Sequence, residues 1–406
     1  MSGPAGAVPV AVVGAGLGGL ALAQSIRRTG VDFVVLEKDL SFAAPGRTVR
    51  VHCDPRLNEM AAGCLPPRLF ELFVACQSRP DARHIYLDER LELVSVDERP
   101  APELVLDTRT AREVLAAGLG ERLMLGAEVR AVRDLGPRAQ LDLASGAQLE
   151  ADLCVLAYGA DAAGRWEFEY APTVRDVGLW SFYGVVDLTE PLDLALPAWL
   201  DEGFVVAGDG EVKVAMGRYA PAGEFAALAA REGSGDVPLR RRDYLFWNVI
   251  APSGRYPSDP RGWGENRAAV AEHLSAMTHR FDPWLHTLFG LAGTDSYGFL
   301  PLRTCTPGAP RPESTRAILI GDAAHPMLPA ALSTYVAFED ARVLGESLAR
   351  ALGTSAPATT ADAATTADAA DAAAAAEASL RRSGFGHVAA AERAAGPAFG
   401  ISGLTA

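Results

Sequence analysis

Val8-Pro9-Val10-Ala11-Val12-Val13-Gly14-Ala15-Gly16-Leu17-Gly18-Gly19 decides how the rest of the chain is read. A short apolar run reads as a buried strand, and the residues from Leu17 to Arg28 read as an apolar helix. Phe33 to Glu37 is a second buried strand, so the segment forms a βαβ unit with a glycine turn between its first two elements. Each glycine has its own reason. Gly14 permits the tight turn, Gly16 lets the backbone approach a pyrophosphate, and Gly19 lets helix and strand pack closely. Unpaired N–H groups and the macrodipole at the helix start favour the negative charge of such a group. Glu37 lies roughly 20 residues further on, where an acid accepts hydrogen bonds from ribose hydroxyls and disfavours a 2'-phosphate. A GxGxxG alone often marks only a glycine turn. The strand, the helix and the spaced acid together point to a bound dinucleotide.

Outward from this unit, Asp54 to Leu72 has helical spacing broken by Pro66 and Pro67. Arg83 to Leu106 reads as strands and Thr108 to Leu119 as a helix. Glu128 to Arg133, Ala139 to Leu143 and Gln148-Leu149 alternate as a meander, and Leu153 to Ala157 is a continuously apolar, buried strand. The middle of the chain is strand-rich. Val205-Val206-Ala207 and Val212-Lys213-Val214 flank a hairpin turn at Asp209-Gly210, and Tyr244 to Ile250 is a further strand. A helix is expected over Asn266 to Met277, a buried strand over Ala317 to Ile320 and a helix over about Tyr335 to Ala351. From Thr354 to Ser379 the chain is almost wholly Ala, Thr and Asp, and it reads as an exposed linker or a marginal helix.

The net charge of -14, with no long basic block, excludes a nucleic acid or an anionic membrane as the expected partner. Arg240-Arg241-Arg242 is the one sharp basic cluster and reads as a solvated turn. Five scattered cysteines give neither a disulfide framework nor a Cys-based zinc site, and no metal is expected. Val8 to Ala23 lacks the basic flank of a secretion signal, and no apolar run has membrane-spanning length. A cytoplasmic protein acting on a small molecule is expected, with its oligomeric state open.

A second motif narrows the dinucleotide. Ile318-Leu319-Ile320-Gly321-Asp322-Ala323-Ala324-His325-Pro326 closely resembles the second FAD fingerprint of flavoprotein monooxygenases with the para-hydroxybenzoate hydroxylase fold. The resemblance runs from Val8 to about Arg350 and is densest at residues 10–38, 107–119 and 318–341. It implies an α/β fold: a Rossmann-like FAD-binding domain (1–170 and 295–350), an interleaved strand-rich substrate domain (171–294, with part of 60–105) and a C-terminal linker and helical tail (351–406). It assigns cofactor contacts to Gly14, Gly16, Gly19, Glu37, Lys38, Arg47, Arg109 and Asp322. Asp322 is to meet the ribityl chain, Arg47 the phosphates, and Arg109 the cofactor from its helix, with Arg112 a competing candidate. His325 is read as lining the flavin loop. No catalytic residue is assigned.

Two departures stand out. The family's Asp-Gly pair after the buried strand is here Tyr158-Gly159, with Asp161 a substitute only if the loop before Arg165 has shifted. The Gly-Gln-Gly turn facing the flavin ring is replaced by Pro329-Ala330-Ala331-Leu332-Ser333-Thr334-Tyr335-Val336, without glycine and one residue shorter. Ser333 or Thr334 is a candidate cap for the next helix, and Tyr335 is bulky enough to fill the ring's place. The resemblance therefore implies an FAD-dependent monooxygenase, reduced transiently by NADPH or NADH, for an aromatic or polyketide-like molecule of secondary metabolism. The departures favour an alternative, a non-redox cyclisation, isomerisation or dehydration with the flavin structural or absent. Trp180, Phe182, Tyr183, Phe246 and Trp247 supply aromatic surface, which individually reads as core.

Overall fold

The computed structural model describes residues 7–44, 49–160, 168–189, 196–208, 210–232, 243–257, 266–293, 296–312, 315–351, 365–396 and 399. β1 (Val8–Val13), α1 (Leu17–Arg27) and β2 (Phe33–Glu37) form the opening unit. β3 (Arg50–Cys53), α2 (Leu57–Cys64) and α3 (Pro67–Ala75) follow, the two helices parting at the proline pair. Then come β4 (Ser78–Leu87), β5 (Leu93–Asp107), α4 (Thr108–Ala116), β6 (Leu123–Leu125), β7 (Val129–Asp134), β8 (Ala139–Leu143) and β9 (Gln148–Leu156). The middle holds β10 (Thr173–Asp187), β11 (Phe204–Ala207), β12 (Lys213–Tyr219), α5 (Glu224–Glu232), β13 (Tyr244–Pro252), α6 (Arg267–Met277) and α7 (Pro283–Leu291). β14 (Gly298–Thr306), β15 (Ala317–Leu319), α8 (Ser333–Ala351) and α9 (Thr365–Ala395) complete the chain.

The first sheet has the order β6-β2-β1-β9-β8-β7, with β15 beside the end of β9. β1 pairs in parallel with both β2 and β9, and β15 runs parallel to β9. Strand order therefore reverses at β1, and the crevice at its carboxyl end is where such sheets bind ligands. Alternation along β1 sends Val10 and Val12 into a core with Leu20, Phe338 and Leu380, while Ala11 and Val13 face Leu141 and Leu156. Because both faces are covered, the strand reads as continuously apolar.

The second sheet has the order β14-β10-β13-β12-β11-β4-β5-β3. One face packs Phe182, Trp247 and Val249 against Val270 and Leu274 of α6 and Leu285 and Phe289 of α7. Ile250, on the same strand but of opposite parity, meets Leu328, two residues past the second motif. The two sheets thus meet where the flavin loop was read. Trp180, Phe182 and Trp247 belong to or pack on the helix-covered core, while Tyr183 and Phe246 sit in a separate cluster with Tyr219 and Tyr244. The hairpin is present, with Ala207 opposite Val214; Asp209 itself lies outside the described residues.

Strand pairing puts β3, β4 and β5 in the second sheet, along with β14, which the sequence reading had allotted to the first domain. Of the two readings of the Ala-rich stretch, exposed linker or marginal helix, the described residues from Thr365 onward take the helix. α9 runs for 31 residues and buries Ala372, Ala373, Ala376 and Leu380. Alanine has the best helix propensity and no side-chain entropy to lose, and its small face packs closely on α8. Composition that looked like spacer is a packing surface.

Candidate functional site

The glycine turn has the geometry its sequence demands. Gly14 has φ +106, and a Cβ there would lie 2.5 Å from the Ala157 carbonyl oxygen at the end of β9. A Cβ on Gly19 would lie 2.1 Å from the Gly14 oxygen, so only glycine permits this helix–strand approach. Gly16 is different: its Cβ would meet nothing nearer than the Ala157 oxygen at 3.9 Å. The backbone at Gly16 is open on that side. It is also the N-cap of α1, without a side-chain cap bond, so the first N–H groups of the helix stay available to an anion. These features fit a dinucleotide pyrophosphate.

Glu37 closes the turn from β2. Its Oε2 accepts from the Ala15 N–H at 2.8 Å and its Oε1 from the Asp39 N–H at 3.0 Å. Arg112 joins them, its Nη2 lying 3.2 Å from the same Oε2 and its Nε donating to the Ala15 carbonyl at 2.7 Å. The guanidinium also lies over the Phe42 ring at 4.7 Å. Of the two arginines on α4, then, Arg112 reaches the glycine turn. Arg109 is partly exposed and pairs with Glu113 at 3.0 Å. Lys38 is exposed beside Glu37. Arg47, Asp161, Arg165 and Arg240 to Arg242 lie outside the described residues.

α8 brings the second motif to the first. A Cβ on Gly18 would lie 3.1 Å from the Ala337 Cβ, and one on Gly321 would lie 3.3 Å from the same atom. Further along, a Cβ on Gly345 would lie 2.1 Å from Ser25 Oγ, so α8 crosses α1 at small residues. The Gly321 N–H donates to Asp340 Oδ2 at 2.8 Å, which holds the loop onto α8. Asp322, half-buried, accepts from Ser333 Oγ at 2.6 Å. His325 is buried 3.6 Å from Asp340, and neither of its ring nitrogens has a hydrogen-bond partner. Its ring packs on Phe385 of α9 and fills the space a Cβ on Gly384 would take. The ring thus packs the loop against α9.

The glycine-free turn keeps a glycine-like bend. Ala331 has φ +61, a left-handed conformation that costs an L-residue about 1–2 kcal/mol. Its carbonyl accepts from the Asp54 N–H at 2.7 Å, tying it to the end of β3. Neither proposed cap caps α8. The helix begins at Ser333 with its first ladder bond from Val336 to Leu332, and the Ser333 hydroxyl is turned to Asp322. Tyr335 packs over Arg56 at 4.5 Å and against the His387 ring at 5.4 Å, and it donates to Glu339 at 3.2 Å. Its ring is occupied by contacts to α8, α9 and the start of α2. Tyr158 leaves β9 beside Gly14, packed on the β7–β8 side of the first sheet. Burial pushes its hydroxyl up to about 12, so it stays neutral.

Comparison with known proteins agrees with this architecture. Residues 12–65 match the family described as NAD(P)-binding Rossmann-like domain. A curated relative, aurachin C monooxygenase/isomerase from Stigmatella aurantiaca, is 27% identical over 84% of this chain and 80% of its own length. Among solved structures, a Photorhabdus luminescens protein assigned by inference as an FAD-containing monooxygenase superposes with a TM-score of 0.71 at 20% identity, covering 96% of this chain and 98% of its own. HpxO from Klebsiella pneumoniae, solved with FAD and uric acid, gives 0.68 at 20% identity over 97% and 90%. The chain's homologues are FAD-dependent monooxygenases, and its fold is the para-hydroxybenzoate hydroxylase fold that the two motifs resemble.

Proposed function

We propose that this chain is an FAD-dependent monooxygenase, reduced by NADPH or NADH, acting in the cytoplasm on an aromatic or polyketide-like molecule of secondary metabolism. The observation that carries the reading is the convergence of both motifs on Ala337 of α8, with the open backbone of Gly16 at one end and Asp322 at the other. The α1 N-terminus would hold the pyrophosphate and Glu37 the adenosine ribose, with Asp322 at the ribityl chain. FAD, when bound, carries electrons from the nicotinamide to dioxygen. The net reaction is substrate–H, O2, NAD(P)H and a proton giving substrate–OH, water and NAD(P)+. The protein's part is to orient the substrate between its two sheets and to exclude water.

Oxygen uptake and NAD(P)H oxidation, followed across a panel of phenols, quinolones and polyketide aromatics, test the reading. One substrate that accelerates both and gains one oxygen atom supports it. A second reading, a non-redox isomerase or cyclase on the same fold, is favoured by Tyr158 at the family's Asp position and by Ala331 in the glycine-free turn. Product formation without oxygen, with bound flavin that NAD(P)H does not bleach, would select it.

A further inference from the structure

Away from the dinucleotide crevice, the outer strands of the second sheet gather an unusual set of side chains. His52 comes from β3, and His84 and Glu103 come from β4 and β5. Their ligand atoms all lie within 4.8 Å of one another. His84 Nε2 is 3.1 Å and His52 Nδ1 3.8 Å from the same oxygen, Glu103 Oε2. Around a zinc ion with bonds of about 2.0–2.1 Å, neighbouring ligand atoms of a tetrahedron stand about 3.3 Å apart. Two of the three edges are therefore near their metal-bound length already.

The surrounding contacts turn those atoms inward. His52 Nε2 lies 2.6 Å from Asp81 Oδ2 and 3.0 Å from Arg50 Nη1, so it is engaged on the far side and Nδ1 faces the cluster. A carboxylate on the far ring nitrogen is the usual second support of a metal-bound histidine. Asp81 is itself held by Arg50. Arg99 donates to Glu103 Oε1 at 2.8 Å, so Oε2 remains the inward oxygen. The Phe204 ring backs both imidazoles, at 4.5 Å from His52 and 5.7 Å from His84. The two histidine side chains are 16% and 17% exposed, so the cluster is reachable from solvent without being loose.

We propose that His52, His84 and Glu103 form a binding site for a divalent transition cation, with zinc the best match to two nitrogens and one oxygen. Three protein ligands leave the fourth position to water or to an oxygen of a small molecule. The site adjoins the proposed flavin end through the chain itself: Asp54, two residues after His52, donates its N–H to the Ala331 turn. The inference stands apart from the proposed oxygenation and does not need it.

The test is a calorimetric Zn2+ titration of the full chain after EDTA dialysis, repeated with Co2+ while the visible spectrum is followed. The expected result is one saturable equivalent, weakened at least tenfold in both His84→Ala and Glu103→Gln and unchanged in His279→Ala, whose histidine is exposed elsewhere. Circular dichroism confirms that the variants fold. Should either fail to, the Co2+ spectrum of the unaltered chain decides, because nitrogen and oxygen ligation gives ligand-field bands without a thiolate charge-transfer band. No saturable uptake, uptake equal in all variants, or a thiolate band would overturn the proposal.

Discussion

Arg112 donates to the carbonyl of Ala15 across 2.7 Å, joining α4 to the second position of the glycine turn. Its second arm lies beside Glu37, so one buried cation fixes both the loop and the acid assigned to the ribose. Removing one partner of such a buried pair strands the other. Arg112→Ala is expected to lower stability by about 3–5 kcal/mol, whereas Arg109→Ala loses only a partly exposed i,i+4 pair, about 0.5 kcal/mol. Urea unfolding of both variants checks the contrast; equal losses would remove Arg112 from the turn.

Sequence could name the helix but not which of these arginines faces inward. Asp107 accepts from the Thr110 N–H at 2.7 Å, a cap legible as a residue pattern. The rotation of the helix, however, buries Arg112 against Glu37, a partner 75 residues away. Hydrophobic periodicity treats every arginine as solvated, so a paired buried one is invisible to it. The same holds for His52, His84 and Glu103, which only strand pairing brings together. By contrast, the opening βαβ unit is legible because it rests on local glycine geometry and continuous burial, whereas the second motif is read through its resemblance to a known fingerprint. Ala-rich α9 reads between linker and marginal helix because most of its packing surface is alanine, which carries little hydrophobic periodicity.

Two of the turn glycines, Gly16 and Gly19, should respond differently to a methyl group. Gly19→Ala drives a Cβ to 2.1 Å from the Gly14 oxygen and should cost about 1–3 kcal/mol, the usual penalty of overpacking. Gly16→Ala meets open space and should leave the melting temperature nearly unchanged. Thermal unfolding of the two flavin-free proteins distinguishes them, and a destabilised Gly16→Ala would contradict the geometry.

Ala331 holds a left-handed conformation that glycine would adopt without strain. Ala331→Gly relieves the left-handed conformation but adds freedom to the unfolded chain, and the two effects partly offset. A net gain of about 0.5–1 kcal/mol is expected. A shift in the denaturation midpoint with an unchanged slope would confirm it; a loss would mean that the methyl group makes contacts worth more than the strain.

All five cysteines are free and buried, and burial pushes the thiols of Cys53, Cys64 and Cys305 up to about 12. At pH 8 these thiols remain protonated and unreactive. A disulfide-exchange reagent should therefore label none of the five in the native chain and all five in guanidinium. Rapid native labelling of any one of them would show that its segment opens.

The central claim is that the Gly14–Gly19 turn holds FAD, and a fluorescence titration of flavin-free protein with FAD tests it most directly. The account predicts saturable binding of one FAD per chain, abolished in a folded Gly16→Val variant because a branched side chain fills the open approach beside the turn. Glu37→Ala should weaken binding by about 1–3 kcal/mol through lost hydrogen bonds. Absence of binding by the unaltered chain, or equal affinity in folded Gly16→Val, would contradict the account.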